Sequence, residues 1–234
     1  MNELKIAVLN FSGNVGKSTI ARHLLSPYMP ESALVAVETI NAEAASEIKI
    51  KGSAFGQLQE DMMLVDRVIV DVGSSNVEQF LALMKQYRGS HEDFDLYLVP
   101  TVPASKQQKD TIECVRELAR IGIPAEKIRI VFNLVAPGED VAEVFAPLLS
   151  FVEKEGLAQA SVRWTIWESE LFVKIKGTTD TVAQIADDAT DYKAAIRTAT
   201  SDDEKLEYAA RLTTKRLAQG VRENLSEVFQ LVTA

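Results

Sequence analysis

A glycine-containing turn near the N-terminus holds the residues with the clearest chemistry. Residues 6–19 read Ile-Ala-Val-Leu-Asn-Phe-Ser-Gly-Asn-Val-Gly-Lys-Ser-Thr, an apolar run followed by a turn and a helical pattern. Gly13 and Gly16 let the backbone curl until several N–H groups face one anion-sized hollow. Lys17 would reach the β- and γ-phosphates of a nucleotide, and Ser18 would place its hydroxyl on a Mg²⁺ ion. The segment therefore predicts a phosphate-binding loop.

The stricter pattern G-x-x-x-x-G-K-[ST] is broken, because Phe11 occupies its first glycine position. The alternative is a chance Gly-Lys-Ser at the end of a strand. The phosphate loop is favoured because strand, turn, Gly-Lys-Ser-Thr and helix all occur in the required order. The loop residues predicted to bind the nucleotide are Ser12, Gly13, Asn14, Val15, Gly16, Lys17, Ser18 and Thr19.

Polar residues at the ends of three later strand-like runs are candidates for the same site. Asp71 ends a buried run and would hold Mg²⁺ together with Ser18. Its alternative role is to cap a helix. Glu38 is a carboxylate placed to polarise a water molecule, or is a surface glutamate. The Asn133 amide suits the edge of adenine, although asparagine is also common in turns.

Alternating strand and helix patterns predict how these residues are positioned. The expected strands are Lys5–Leu9, Leu34–Val37, Arg67–Val72, Leu96–Pro100, Arg129–Asn133 and Ser161–Ile166. The expected helices cover 17–26, 76–88, 105–121 and 139–156. Nearly continuous apolar strands are typical of parallel sheets covered on both faces. The pattern therefore predicts an α/β fold with a doubly wound, mostly parallel sheet.

The C-terminal region has a different pattern. Beyond about residue 179 no strand is evident, and Thr200-Ser201 followed by three acids indicates the N-cap of a helix. We predict one domain over 1–234, with an α/β core at 1–180 and a helical extension at 181–234. The apolar residues of its last turns are expected to pack on the body or on another subunit.

Composition restricts the class of protein further. The chain has 234 residues, 47% of them hydrophobic and 25% charged, which are globular proportions. A net charge of −9 argues against a wholly basic nucleic-acid coat. The single cysteine, Cys114, excludes an internal disulfide and favours a cytoplasmic protein. No run approaches the length of a membrane span, so no integral membrane segment is expected.

Residues 10–19 resemble the deviant Walker A loop of ParA/MinD-type P-loop ATPases, N-Q-K-G-G-V-G-K-[ST]-T. The positions that match are Asn10, Gly13, Val15, Gly16, Lys17, Ser18 and Thr19. Ser12 replaces the signature lysine, which in the family reaches a partner subunit's phosphates, and Asn14 replaces the second glycine. The resemblance implies nucleotide binding, while the loss of the lysine puts nucleotide-dependent homodimerisation and efficient hydrolysis in question.

The resemblance also implies roles for residues outside the loop. Lys17, Glu38 and Asp71 would be the catalytic group, with Ile40 where the family has a second acid. Asn133 would read adenine, and Gly73 would respond to loss of the γ-phosphate. The loop touching the base follows a late strand in the family. Trp164 and Trp167 occupy this region of the sequence. They would either stack on the base or pack in the core or at an interface, and packing is the preferred interpretation.

Within this family the chain looks most like the small plasmid stability ATPases called StbB. That resemblance implies a slow Mg-ATP-dependent switch of plasmid segregation or conjugative transfer, working through a plasmid-encoded DNA-binding partner. The residues expected to offer weak DNA contact are Arg211, Lys215, Arg216 and Arg222; the alternative is a solvated helix face. The alternatives for function are a nucleotide-binding scaffold without hydrolysis and a small-molecule P-loop kinase.

Overall fold

A parallel β-sheet runs through the molecule. The computed structural model describes residues 3–38, the backbone of 48–50, and 54–234. In this part of the chain the sheet has seven strands in the order β3-β2-β4-β1-β5-β6-β7, and all of its pairs are parallel. The strands are β1 (Leu4–Val8), β2 (Ala33–Val37), β3 (Ile48–Ile50), β4 (Arg67–Val72), β5 (Leu96–Thr101), β6 (Ile128–Val135) and β7 (Gln159–Trp167).

The strands bury both of their faces. In and just after β1, Ala7 and Leu9 face one hydrophobic core, whereas Ile6 and Val8 face the other. This period of two places a separate core on each side of the sheet. The near-continuous apolar runs in the sequence are explained by burial on both faces, and the predicted doubly wound α/β architecture is confirmed.

Helices cover the two faces. They are α1 (Lys17–Thr19), α2 (Phe55–Met63), α3 (Val77–Gln86), α4 (Ser105–Ile121), α5 (Val141–Val144), α6 (Ala146–Glu155), α7 (Glu170–Lys174), α8 (Val182–Ala186), α9 (Tyr192–Thr198) and α10 (Asp202–Val232). Helices α2, α3, α4 and α6 supply residues to the core containing Ala7. The segment after α1, together with α7, α8 and α10, supplies residues to the core containing Ile6.

The first helix differs from its prediction. Residues 17–26 were expected to form one α-helix, but only Lys17–Thr19 is α-helical. The chain continues through a π-helical stretch, Ile20–Leu25, and a 3₁₀ turn, Ser26–Tyr28. The wider turns of a π-helix are frequent near functional sites.

The C-terminal helix begins where its N-cap signal predicted and packs on the body. The Ser201 hydroxyl accepts a hydrogen bond from the Glu204 N–H at 3.2 Å. Leu225, Val228 and Val232 are buried in the same core as Ile6. The described helices include none with the length and apolar composition needed to cross a membrane.

The chain reverses its direction of winding at β1, which is flanked by β4 on one side and β5 on the other. In open α/β sheets such a switch point leaves a crevice at the carboxyl ends of the strands. The glycine-containing turn follows β1 at this crevice.

Candidate functional site

The loop after β1 has a backbone that only certain residues tolerate. Gly16 has φ 88°, and a Cβ at this position would lie 2.0 Å from Nδ2 of Asn133. Asn14 has φ 57°, in the left-handed region where asparagine is the most tolerated residue after glycine. Asn14 therefore substitutes for the glycine of the related motif with little steric strain.

Lys17 lies inside the loop. Its side chain is buried, and its Nζ donates a hydrogen bond of 2.8 Å to the Ser12 carbonyl oxygen. Burial lowers the pKa of Lys17, and the charge of Asp71 opposes that shift. A buried ammonium that has lost its water is stabilised by an anion at hydrogen-bonding distance. The loop thus offers a cation to a phosphate group.

Asp71 lies next to the loop at the end of β4. Its carboxyl group is buried, and Asp71 is paired in the sheet with Val8, the last residue of β1. The register therefore brings the acid and the phosphate loop to the same edge of the sheet, as the sequence predicted.

Glu38 and Gly73 adjoin each other across the ends of β2 and β4. The Gly73 N–H donates to the Val37 carbonyl oxygen at 3.0 Å. A Cβ on Gly73 would lie 3.2 Å from that oxygen and 3.7 Å from Cγ of Glu38, so the close approach favours glycine. Ile40, which was expected to replace a second acid, lies outside the described residues.

Asn133 belongs to strand β6 rather than to a turn. Its side chain is buried, and Nδ2 donates a hydrogen bond of 2.9 Å to the Val15 carbonyl oxygen. The amide therefore holds the loop after β1 in place. The contact of Asn133 with adenine stays a prediction. Because Nδ2 already donates to Val15, that contact would use Oδ1 or require the side-chain amide to turn away from Val15.

Most of these residues border one cleft of about 460 Å³, but Glu38 and Asp71 are not among the residues that line it. It is lined by Gly13, Asn14, Gly16, Lys17, Ser18, Thr19, Gly73, Ser74, Asn133, Leu134 and Phe172. Ser18 is exposed to it. The cleft combines backbone amides, an ammonium and a hydroxyl at one end with an aromatic ring and an aliphatic side chain among its other walls.

Phe172 was not anticipated from the sequence. It lies in α7, just after the loop that follows β7, so the aromatic residue in the cleft comes from slightly beyond Trp164 and Trp167. Trp164 packs against the core containing Ile6, and Cζ of the Arg129 guanidinium lies 5.7 Å from the centre of its ring. The two tryptophans are not among the residues that line the cleft.

Two residues of α4 were also missed. The Ser12 hydroxyl donates to Oδ2 of Asp110 at 2.5 Å, and Nδ2 of Asn10 donates to the Thr111 hydroxyl at 2.8 Å. They contact the loop from 98 and 101 residues away in the chain. No local pattern in the sequence marks such a contact.

The predicted basic residues of α10 do not form a uniform positive surface. Arg211 pairs with Glu207 at 2.6 Å, and Arg222 pairs with Asp187. Lys215 borders a cavity between α10 and the preceding short helices, while Arg216 is exposed. Because carboxylates neutralise two of the four cations, the arrangement favours the solvated face over a DNA-binding stripe.

The site suits magnesium by the chemistry of its oxygen donors. The described residues contain no group of three or more potential metal-ligating histidine, cysteine or acidic side chains. Mg²⁺ needs only one or two protein oxygens when it also binds phosphates and water. Ser18 and Asp71 supply a hydroxyl and a carboxylate at this edge of the sheet, which fits that requirement.

Comparison with known proteins identifies solved structures that have a similar architecture. No model of a protein family matches the sequence, and a search of curated proteins found no match. A chain of the MinC:MinD cell division complex from Aquifex aeolicus has a TM-score of 0.52 and 12% identity, covering 90% of this chain and 96% of that chain. MinD with Mg-ADP from Pyrococcus horikoshii has a TM-score of 0.50 and 12% identity, covering 98% and 96%.

A ParA family ATPase from Chlorobium tepidum gives a TM-score of 0.50 at 12% identity, covering 96% of this chain and 98% of that chain. At such identities the likeness concerns the fold. The chain therefore has the fold of ParA/MinD-type P-loop ATPases.

Proposed function

We propose that this chain is a Mg-ATP-dependent switch protein of the ParA/MinD type. In this proposal it positions plasmid DNA, through a DNA-binding partner, during segregation or conjugative transfer. The observation that carries the nucleotide part is the cleft at the switch point, which is lined by both the buried Lys17 and the exposed Ser18. Plasmid function and the narrower StbB identity are supported by the sequence resemblance.

Each residue of the loop has a distinct task in this proposal. Backbone amides from Gly13 to Gly16 bind phosphate oxygens, and Lys17 neutralises the β- and γ-phosphates. Ser18 and Asp71 would hold Mg²⁺, which supplies positive charge to the phosphate oxygens when bound. Asn133 and Phe172 face the remaining part of the cleft, where an adenine base would lie.

Glu38 and Gly73 connect hydrolysis to movement. Glu38 orients the attacking water molecule by accepting a hydrogen bond from it. Gly73 donates to Val37 next to Glu38, so displacement of Gly73 by a γ-phosphate alters the end of β2. Coupling of this kind converts the presence or loss of one phosphate into a change at the surface.

The proposed output is a change in affinity for a protein partner, with a nucleotide-dependent homodimer as the working form. A cytoplasmic, nucleoid-associated location accompanies this role. Direct DNA contact through α10 is the weaker part, since two of the four basic residues proposed for it, Arg211 and Arg222, are paired within the chain.

A nucleotide-binding scaffold without hydrolysis is the second candidate. The specific observation in its favour is Ser12, which replaces the signature lysine and directs its hydroxyl to Asp110 of the same chain. This position therefore offers no cation to the phosphates of a second subunit.

The test measures binding of a fluorescent ATP analogue and ATP turnover, alone and with plasmid DNA and candidate DNA-binding partners. Lys17→Ala should weaken nucleotide binding at least about tenfold, because it removes the buried cation. Lys154→Ala, an exposed lysine at the end of α6, is the matched control. Stimulation of turnover by partner or DNA supports the switch, tight binding without turnover supports the scaffold, and no magnesium-dependent binding contradicts both.

A further inference from the structure

Ser12 uses all three of its polar groups within the chain. Its N–H donates to Oδ1 of Asn10 at 2.9 Å, its hydroxyl donates to Oδ2 of Asp110 at 2.5 Å, and its carbonyl accepts from Nζ of Lys17 at 2.8 Å. The residue is only 5% exposed. The carbonyl that accepts the hydrogen bond of the Lys17 ammonium therefore has little freedom to move.

Helix α4 supplies the fixed side of this arrangement. Asp110 holds Ser12, and the neighbouring Thr111 accepts a hydrogen bond from Asn10 while donating to the Gln107 carbonyl oxygen at 2.7 Å. Two adjacent residues of one helix thus hold both residues at the start of the loop. The 17-residue helix is itself anchored in the core through Cys114, Val115 and Leu118.

Lys17 needs such support because its side chain has several rotatable bonds and is buried. A buried ammonium in the wrong rotamer would lose hydrogen bonds without reaching a phosphate. A hydrogen bond from a hydroxyl to a carboxylate is shorter and stronger than one between neutral groups. The Ser12–Asp110 contact is of this kind, and it is made by the same residue whose carbonyl accepts from the lysine.

We propose that Asp110 is a positioning residue for the phosphate site. It holds the Ser12 side chain, which fixes the Ser12 carbonyl and thereby sets the position of the Lys17 ammonium before nucleotide binds. Asp110 does not touch the nucleotide in this scheme. The inference rests on the proposed function, because it requires the loop to bind a polyphosphate.

The experiment compares binding of mant-ATP with Mg²⁺ by the wild type, Asp110→Ala, Asp110→Asn and Ser12→Ala. The matched control is Glu113→Ala, which removes another α4 carboxylate that pairs with Arg116 instead of the loop. We expect Asp110→Ala and Ser12→Ala each to weaken binding about tenfold, with Glu113→Ala unchanged. Asp110→Asn keeps an oxygen acceptor and should stay within about threefold of wild type.

A double-mutant cycle separates positioning from general damage to the fold. Since both residues act through one hydrogen bond, Ser12→Ala/Asp110→Ala should bind mant-ATP no more than about twofold more weakly than either single variant. Melting temperatures of all variants show whether any loss of binding follows a loss of structure, and the Asn variant retains the test if the Ala variant unfolds.

Three results would overturn the inference while leaving the proposed function standing: Asp110→Ala binding like wild type, Asp110→Asn binding as weakly as Asp110→Ala, or losses that multiply in the double variant. A wild-type chain that binds no mant-ATP would overturn the proposed function and, with it, this role of Asp110.

Discussion

Gly16 leaves less room for a side chain than Gly13, the other glycine of the loop after β1. Its φ of 88° disfavours any side chain, and a Cβ would lie 2.0 Å from the Asn133 amide nitrogen. Gly16→Ala must therefore push Asn133 away from the Val15 carbonyl that it now contacts. We expect a loss of about 2 kcal/mol in the free energy of unfolding, and much weaker nucleotide binding, measured by urea denaturation and mant-ATP titration.

Gly138→Ala is the control for this substitution. Gly138 also has a left-handed backbone, with φ 96°, but among the described residues no atom beyond its chain neighbours lies within 4 Å of the position that a Cβ would take. Its substitution should cost only the backbone strain, about 1 kcal/mol. Equal losses for the two variants would show that the contact with Asn133 is unimportant.

The residues of the candidate site that could be predicted are mainly those that lie next to one another in the sequence. Asn10 to Thr19 lie in one segment whose glycines and lysine carry a physical meaning, and Asp71 ends a clearly apolar strand. Asp110 and Phe172 were not predictable, because their role depends on how α4 and α7 pack on the loop. Sequence alone also missed that the Asn133 amide contacts the loop itself.

At the scale of elements, strong local signals gave accurate boundaries and weak ones did not. Helix α4 occupies 105–121 as predicted, since its apolar residues keep a helical period and Gly122, with φ 105°, ends it. Strand β3 has only three residues, and α2 contains Gly56 near its start, so neither was predicted. The π-helical continuation of α1, Ile20–Leu25, was not predicted from periodicity either.

The segment after α1 contains a buried histidine that connects it to α8. Nδ1 of His23 accepts a hydrogen bond from the Val182 N–H at 3.2 Å, and Arg22 donates to the Thr178 carbonyl oxygen nearby. Burial, with a smaller effect of Arg22, lowers the pKa of His23 from 6.5 to about 4. The packed connection therefore requires a neutral imidazole.

This shift makes the connection sensitive to acid. Well above pH 6.5 the histidine is neutral in both the folded and the unfolded chain. As the pH falls through 6.5 toward about 4, the unfolded chain takes up the proton while the folded chain stays mostly neutral. Stability is thus complete at neutral pH and falls through this window, by about 2 kcal/mol from about pH 7 to about pH 5. Urea denaturation of the wild type and of His23→Asn at both pH values measures the effect.

His23→Asn keeps an acceptor near Nδ1 without a titrating group, so its stability should fall less over the same pH range. Carboxylates titrate in both proteins and cancel in the comparison. Parallel pH profiles for wild type and variant would contradict the assignment of the acid sensitivity to His23.

At the scale of the whole molecule, the C-terminal extension and the sheet share a core. Leu225 of α10 is 1% exposed and lies in the same cluster as Ile6 and Val8 of β1. Tyr28, which follows the π-helical stretch, stacks on Phe229 with ring centres 5.1 Å apart. The extension thus contributes to the core that also contains residues of the strand preceding the loop, and a single domain stays a prediction.

If the extension folds with the sheet, damage to α10 must lower the stability of β1. Leu225→Ala leaves a cavity in the shared core and should reduce the free energy of unfolding by about 3 kcal/mol. Leu206→Ala, in the same helix but 68% exposed, should change it by less than about 0.5 kcal/mol. Urea denaturation gives both values, and hydrogen exchange of the β1 amides shows whether the loss reaches the strand. Two separate transitions, or unaltered protection of β1 in Leu225→Ala, would mean that the extension unfolds independently and that this chain contains two cooperative units rather than one.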